Sequence, residues 1–187
     1  MKNRIYVSAL KYAANFDHSA LVSGIARTYA QRGIAVKSEP ALPGGKRADL
    51  AVSIGDNWTY IEVKTRANGT SVRRRRLSYR QDLLRELLRL RAHSLKQLPK
   101  KESSLVVLGT SISSDRRKAI SKIALARSFA GRIFDHDSEK ILGLMIFAPF
   151  RGSNESSSSW RYASTLIPNP NLKAQGDGFE KLASVQL

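Results

Sequence analysis

Two short runs of alternating apolar and polar residues, separated by a turn, constrain the fold of this 187-residue chain more than any other segment. The runs Ala48 to Ile54 and Trp58 to Lys64 flank the triplet Gly55-Asp56-Asn57. Alternation with a period of two is typical of strands that bury one face, and Gly, Asp and Asn are turn residues. The segment therefore predicts a β-hairpin.

The faces of this hairpin follow from what must be buried. The apolar residues occupy the even positions of the first run and the odd positions of the second. Both apolar faces can enter one core only if the Asp49 side of the first strand meets the Glu62 and Lys64 side of the second. The register that we expect pairs Asp49 with Lys64, through a two-residue turn at Asp56-Asn57 or a four-residue turn. Burial alone thus predicts that Asp49, Glu62 and Lys64 converge.

Two carboxylates and an ammonium group on one sheet face suit metal-assisted hydrolysis of phosphodiesters. Magnesium takes carboxylate, water and phosphate oxygens, so two acids can hold it and leave positions for substrate. Lys64 can then orient or help deprotonate the attacking water and stabilise negative charge on the phosphate oxygens. We therefore predict that Asp49, Glu62 and Lys64 are catalytic, with Mg²⁺ as the cofactor.

Asp49, followed by a hairpin and then Glu62-Val63-Lys64, resembles the signature of the PD-(D/E)XK nuclease superfamily. The resemblance covers about residues 17–110 and implies a restriction-endonuclease-like α/β fold, with a mixed central sheet flanked by helices. It also implies a Mg²⁺- or Mn²⁺-dependent endonuclease in which Asp49, Glu62 and the Val63 backbone carbonyl hold the metal. The thirteen-residue step from Asp49 to Glu62 is similar to that of archaeal Holliday-junction resolvases. The similarity also implies double-stranded or branched DNA as the partner. Because those enzymes act as dimers, it implies a homodimer as well.

The sequence departs from this signature at two positions. Ala48 stands where the motif has proline, which is tolerable because the aspartate carries the chemistry. Many members add a glutamate from the first helix, but residues 18–33 contain no acid, and the aligned position is Val22. Either Asp17 or Glu39 supplies the third metal ligand, or that ligand is missing.

Basic residues outnumber acidic ones by 32 to 15, which gives a formal net charge of +17. The window from Lys64 to Lys101 holds thirteen basic and two acidic residues, and so carries +11 of that charge. A concentrated positive potential attracts polyanions, most commonly phosphate backbones. Few aromatic residues interleave, so phosphate contact is expected rather than base stacking. We predict nucleic-acid contacts for ten residues: Lys46, Arg47, Arg66, Arg73, Arg74, Arg75, Arg76, Arg80, Arg85 and Arg89.

The remaining pattern indicates a single nuclease-like domain over residues 1–187, with a core at about 17–150. Helical periodicity and capping residues predict helices, and buried apolar runs predict strands. The expected helices are 17–32, 77–98 and 116–132, and the expected further strands are 34–36, 105–109, 141–148 and 160–167. The packed stripe of the second helix is expected to be Leu84, Leu87, Leu88, Leu95 and Leu98. Residues 152–159 are expected to form a flexible loop and 168–187 a weakly ordered tail.

Several classes are excluded or left as alternatives. The absence of cysteine excludes disulfides and thiolate zinc sites. No apolar run of membrane-spanning length and no signal-peptide pattern occur, so we expect a cytoplasmic protein that does not bind membranes. His18 and His93 lack partners at useful spacing and are predicted to be structural or exposed. The alternatives to a DNA nuclease are a noncatalytic nucleic-acid-binding or assembly protein on the same fold, and an RNA-cleaving nuclease.

Overall fold

The computed structural model describes residues 6–10, 17–54, 56–65, 79–99, 102–134, 141–151 and 160–171. Arg66, the Arg73 to Arg76 run, the loop expected at 152–159 and residues 172–187 of the expected tail lie outside these ranges. The described elements are β1 (Tyr6–Leu10), α1 (His18–Gln31), β2 (Val36–Ser38), β3 (Leu50–Ile54), β4 (Asn57–Thr65), α2 (Tyr79–Leu95), β5 (Ser104–Gly109), α3 (Arg116–Ser128), α4 (Ala130–Ile133), β6 (Ile141–Arg151) and β7 (Trp160–Pro168).

The seven described strands form one mixed sheet in the order β1-β7-β6-β5-β4-β3-β2. The strands β4, β5 and β6 are parallel neighbours, and every other pair is antiparallel. Parallel neighbours need crossover connections, and α2 and α3 lie in the two that join these strands. The predicted mixed sheet flanked by helices is confirmed. No helix of the described residues is both long and apolar enough to cross a membrane.

Helices cover both faces of the sheet. Leu21, Ile25 and Tyr29 of α1 pack against buried residues of β3, β4 and β5, while α2 and α3 pack on the opposite face. Leu50 and Val52 of β3, at even positions, and Ile61 and Val63 of β4, at odd positions, enter the α1 core with no exposed surface. The faces predicted for the hairpin are therefore confirmed.

The register of the hairpin differs from the expected one. Leu50 pairs with Ile61 and Ile54 with Asn57, so two residues, 55 and 56, join the strands instead of Asp56-Asn57. Continued by one residue pair, this register places Asp49 level with Glu62. The expected pairing of Asp49 with Lys64 is therefore wrong. A shift of two residues keeps every side chain on its face, and for that reason burial could not distinguish the two registers.

The ends of α1 are confirmed, whereas the packed face of α2 is partly wrong. Asp17 caps α1 because its Oδ1 accepts the N–H of Ala20 at 2.8 Å, and Gly33 follows the helix with a φ of 73°. In α2, Leu88 is exposed, although the stripe included it. The buried face of α2 comprises Leu83, Leu84, Leu87, Leu90, Arg91 and Ser94. Leu88 lies about 100° around the helix from Leu87, outside that face.

Two segments at the ends of the chain extend the sheet beyond what the sequence predicts. Residues 6–10, for which no element was expected, pair with β7 as an edge strand. Asn169, within the segment expected to be weakly ordered, is fully buried and donates through Nδ2 to the Ile141 carbonyl at 2.9 Å. The described fold therefore continues past β7 to residue 171.

Candidate functional site

Asp49 lies immediately before β3, where α1 and β4 meet. Its Oδ2 accepts the backbone N–H of Val63 at 2.7 Å, and its Oδ1 is 3.1 Å from Nε2 of His18. The side chain is 19% exposed. The carboxylate is therefore oriented from two sides, by the sheet and by the start of α1, and stays accessible to solvent.

Glu62 is the buried acid of the site, with a side chain only 2% exposed. Its Oε1 accepts a hydrogen bond from Nζ of Lys64, while its Oε2 has no hydrogen-bond donor among the described residues. Burial raises the pKa of Glu62; the hydrogen bond from Lys64 opposes this shift, and the charge of Asp49 adds to it. This oxygen is buried without a donor and lies beside a second carboxylate, so a bound cation would stabilise the ionised form of Glu62.

Lys64 lies two residues after Glu62 on the same strand face, and its side chain is 25% exposed. The ammonium group thus neutralises part of the Glu62 charge while remaining within reach of solvent. Asp49 binds the peptide between these two residues, at Val63. The structure therefore brings together the three residues that the hairpin pattern singled out.

The donor set fits a hard divalent ion that keeps much of its hydration. No group of three or more His, Cys, Asp and Glu side chains able to hold an ion by themselves occurs among the residues described. Mg²⁺ is commonly bound through one or two carboxylates, with water and substrate oxygens completing the shell. Asp49 and Glu62 are the two carboxylates of the site that could hold such an ion.

Asp17 and Glu39 were considered as third metal ligands, and both use their carboxylates in other contacts. Asp17 uses its Oδ1 to cap α1. Glu39 has a side chain that is 73% exposed and forms an ion pair with Arg47 at 3.4 Å. Its backbone N–H donates to the Asp49 carbonyl at 3.0 Å, so Glu39 contacts the site through its main chain.

His18 is the site residue that the sequence does not reveal. It was expected to be structural or exposed; its side chain is 46% exposed, yet it contacts the Asp49 carboxylate. The two residues are 31 positions apart, so no local spacing connects them. The signal in the sequence is indirect: Asp17 caps α1 and thereby fixes His18 as the first residue of that helix.

The predicted nucleic-acid contacts fall into three groups. Arg80, Arg85 and Arg89 are exposed on α2, and the guanidinium of Arg80 lies 5.5 Å from the ring centre of Phe129. Lys46 donates through Nζ to the Lys96 carbonyl at the end of α2, at 2.7 Å, and Arg47 pairs with Glu39. The third group lies outside the described residues: Arg66, Arg73, Arg74, Arg75 and Arg76.

Comparison with known proteins identifies no family. No protein-family model matches the sequence, and no curated protein does. One solved structure with a similar arrangement is Pyrococcus furiosus SfsA in complex with Ca²⁺. The sequence identity is 14% and the TM-score 0.35, over 80% of this chain and 62% of that one. The chain thus spans less than two thirds of the SfsA structure.

Proposed function

We propose that this chain is a metal-dependent nuclease of the PD-(D/E)XK superfamily, with a restriction-endonuclease-like fold, that hydrolyses phosphodiester bonds in DNA. One observation carries the proposal. Glu62 is a buried carboxylate with an oxygen that has no described donor, and it lies beside Asp49 and the ammonium of Lys64. An ordinary surface ion pair would leave both partners solvated and would need no second acid.

The charges around the site support a reaction rather than binding alone. Exposed arginines on α2 suit phosphate contacts, whereas two carboxylates repel phosphate unless a cation lies between them. Asp49, Glu62 and the Val63 carbonyl would hold that cation. When bound, Mg²⁺ or Mn²⁺ would supply Lewis-acid stabilisation of the scissile phosphate.

Each side chain has a separate task in this proposal. The ammonium of Lys64, fixed by Glu62, stabilises negative charge that develops on the phosphate and orients the attacking water. His18 and the Val63 N–H hold the Asp49 carboxylate in one orientation. The arginines of α2 contact the backbone of the substrate and position it without reading its sequence.

The proposal is tested by cleavage of supercoiled plasmid, a four-way junction, single-stranded DNA and RNA, each with Mg²⁺, Mn²⁺ or a chelator. We expect metal-dependent cleavage of DNA that is lost in Glu62→Gln. Glu39→Gln is the matched control, because it neutralises a glutamate whose side chain is exposed. Cleavage by Glu62→Gln at the wild-type rate would show that the site is assigned wrongly, and cleavage of RNA alone would establish the RNA-cleaving alternative.

A noncatalytic nucleic-acid-binding protein on the same fold is the second candidate. It is favoured by the lack of a three-residue metal cluster in the described part of the chain. Calorimetric titration with Mn²⁺ separates the two functions. Heat of binding that disappears in Asp49→Asn supports the nuclease, whereas DNA binding without any metal uptake supports the binder.

A further inference from the structure

The helix α3 carries the most concentrated positive charge among the described helices, and the sequence-based prediction assigned it no contact. It holds five basic residues and no acid in its 13 residues. By comparison, α2 holds four arginines and two acids in 17 residues, and α1 holds one arginine in 14. The excess on α3 therefore requires an explanation of its own.

Three of these charges are exposed side by side in the first turn of α3: Arg116, Arg117 and Lys118. We call them the α3 patch. No carboxylate of the described residues lies within ion-pairing distance of any of the three. The backbone N–H of Lys118 lowers the pKa of the neighbouring Asp115, which carries a negative charge at neutral pH. Its oxygens accept that N–H and the Ser114 hydroxyl, both at 2.8 Å, so the patch keeps a local net charge of about +2.

The segment between β5 and α3, which leads to the patch, is fixed by hydrogen bonds to β6 and to Lys122. The N–H groups of Thr110 and Ser113 donate to carbonyls of β6, at 2.8 and 2.7 Å. Lys122, only 5% exposed, donates through Nζ to the Ser111 carbonyl at 2.6 Å and to its hydroxyl at 3.2 Å. The patch therefore projects from a fixed backbone, which reduces the ordering cost of binding.

The strand register places the patch on the same sheet edge as the candidate site. Lys64 of β4 is level with Leu108 of β5, and the chain then passes from the carboxyl end of β5 into α3. Ser113 is bridged to Phe150 of β6, four residues beyond the Leu108 level. Strand rise and spacing put the patch about 15–20 Å from Lys64. That separation corresponds to about five base pairs of duplex DNA.

We propose that the α3 patch binds the phosphate backbone of the same nucleic acid, about five base pairs from the phosphate at Lys64. The proposal rests on the proposed nucleic-acid substrate. It does not depend on catalysis, because binding is measured with the metal chelated.

The test compares two double variants that each remove two exposed positive charges. Arg116→Gln/Arg117→Gln alters the patch. Lys37→Gln/Arg132→Gln is the control: Lys37 lies on β2, the edge strand furthest from β1, and Arg132 lies on α4. Fluorescence anisotropy in a chelator measures affinity for a 20-base-pair duplex and for a stem-loop of four base pairs, over 50–200 mM salt. Circular dichroism verifies that both variants are folded.

For the patch variant, we expect the magnitude of the slope of log K against log salt for the duplex to fall by about 1.8, because two phosphate contacts are lost. Stem-loop binding and the control should match wild type. An unchanged slope, or an equal loss in the control, would overturn the proposal. So would a patch variant that keeps DNA affinity but loses binding to vesicles with 30% anionic lipid. DNA binding without cleavage by the wild type would instead contradict the proposed nuclease function and leave the patch intact.

Discussion

The two faces of the sheet differ in both charge and chemistry. On one face, α1 packs through apolar residues and carries a single arginine. On the other face, α2 and α3 carry nine basic residues between them, and the side chains of Glu62 and Lys64 point to this face. The α1 face therefore supports the site, whereas the opposite face supplies the charges that would meet a polyanion.

The comparison also shows how acids and bases can share one face. Arg85 and Arg89 are exposed, whereas Glu62 is buried. An approaching phosphate would meet the arginines before the carboxylate, so electrostatic attraction is not cancelled at long range. From the α1 face, His18 contacts the Asp49 carboxylate.

The largest effect is expected from the ammonium on the basic face. Lys64→Met should reduce the rate of DNA cleavage by on the order of 10²- to 10³-fold, because it removes a preorganised charge from the reacting phosphate. The variant keeps the length of the side chain. Single-turnover kinetics with saturating enzyme measures the chemical step separately from binding.

Lys37→Met is the matched control for this change. Lys37 lies on the edge strand β2, which β3 separates from β4, with its Nζ 4.0 Å from the ring centre of Trp58, and it has no contact with Glu62 among the described residues. Its replacement should leave the rate within about twofold of wild type. Equal losses in the two variants would mean that Lys64 contributes only general positive charge.

These features were not equally predictable from the sequence. The faces of β3 and β4 follow from the requirement to bury both apolar sets, and the start of α1 follows from Asp17 as its cap. The register does not follow, because a shift of two residues satisfies burial equally well. Leu88 was misplaced because composition does not reveal the phase of a leucine-rich helix.

Contacts between distant segments were beyond sequence reasoning. The proximity of His18 to Asp49 depends on how α1 lies across β3 and β4, which no local pattern encodes. The pairing of β1 with β7 joins residues 150 or more positions apart. Both contacts form only when the helices and strands pack together, so the local sequence of either segment does not predict them.

The next largest effect tests what the α1 face contributes. His18→Ala should lower the cleavage rate by about tenfold, because outer partners that orient a metal-binding carboxylate typically contribute to this extent. The apparent Mn²⁺ affinity should fall as well, measured by the metal concentration that gives half-maximal rate. His93→Ala, an exposed histidine of α2, is the control and should change neither quantity. If His18→Ala cleaves DNA at the wild-type rate, α1 contributes only packing to the site.

A smaller effect should follow from removing two charges from α2. In Arg85→Gln/Arg89→Gln, the magnitude of the slope of log K against log salt for duplex DNA should decrease by about 1.8. The matched variant on the other face is Arg27→Gln/Arg32→Gln, which removes the same charge and should leave the slope unchanged. A similar decrease in both variants would indicate that the whole surface attracts DNA, without a preferred face.

The smallest effect concerns stability, measured by urea unfolding in a chelator from pH 4.5 to 8. Because burial raises the pKa of Glu62, the folded protein keeps this proton at pH values where the unfolded chain has lost it. Wild-type stability should therefore fall as the pH rises from the ordinary glutamate pKa to the raised one. Glu62→Gln cannot ionise, so it should be more stable than wild type at pH 8, with a difference that shrinks towards pH 4.5. With Mn²⁺ in place of the chelator, the difference in stability between the two proteins at pH 8 should narrow, because the metal stabilises the wild type alone. A difference in stability that stays constant across the pH range would mean that Glu62 ionises without cost in the folded protein.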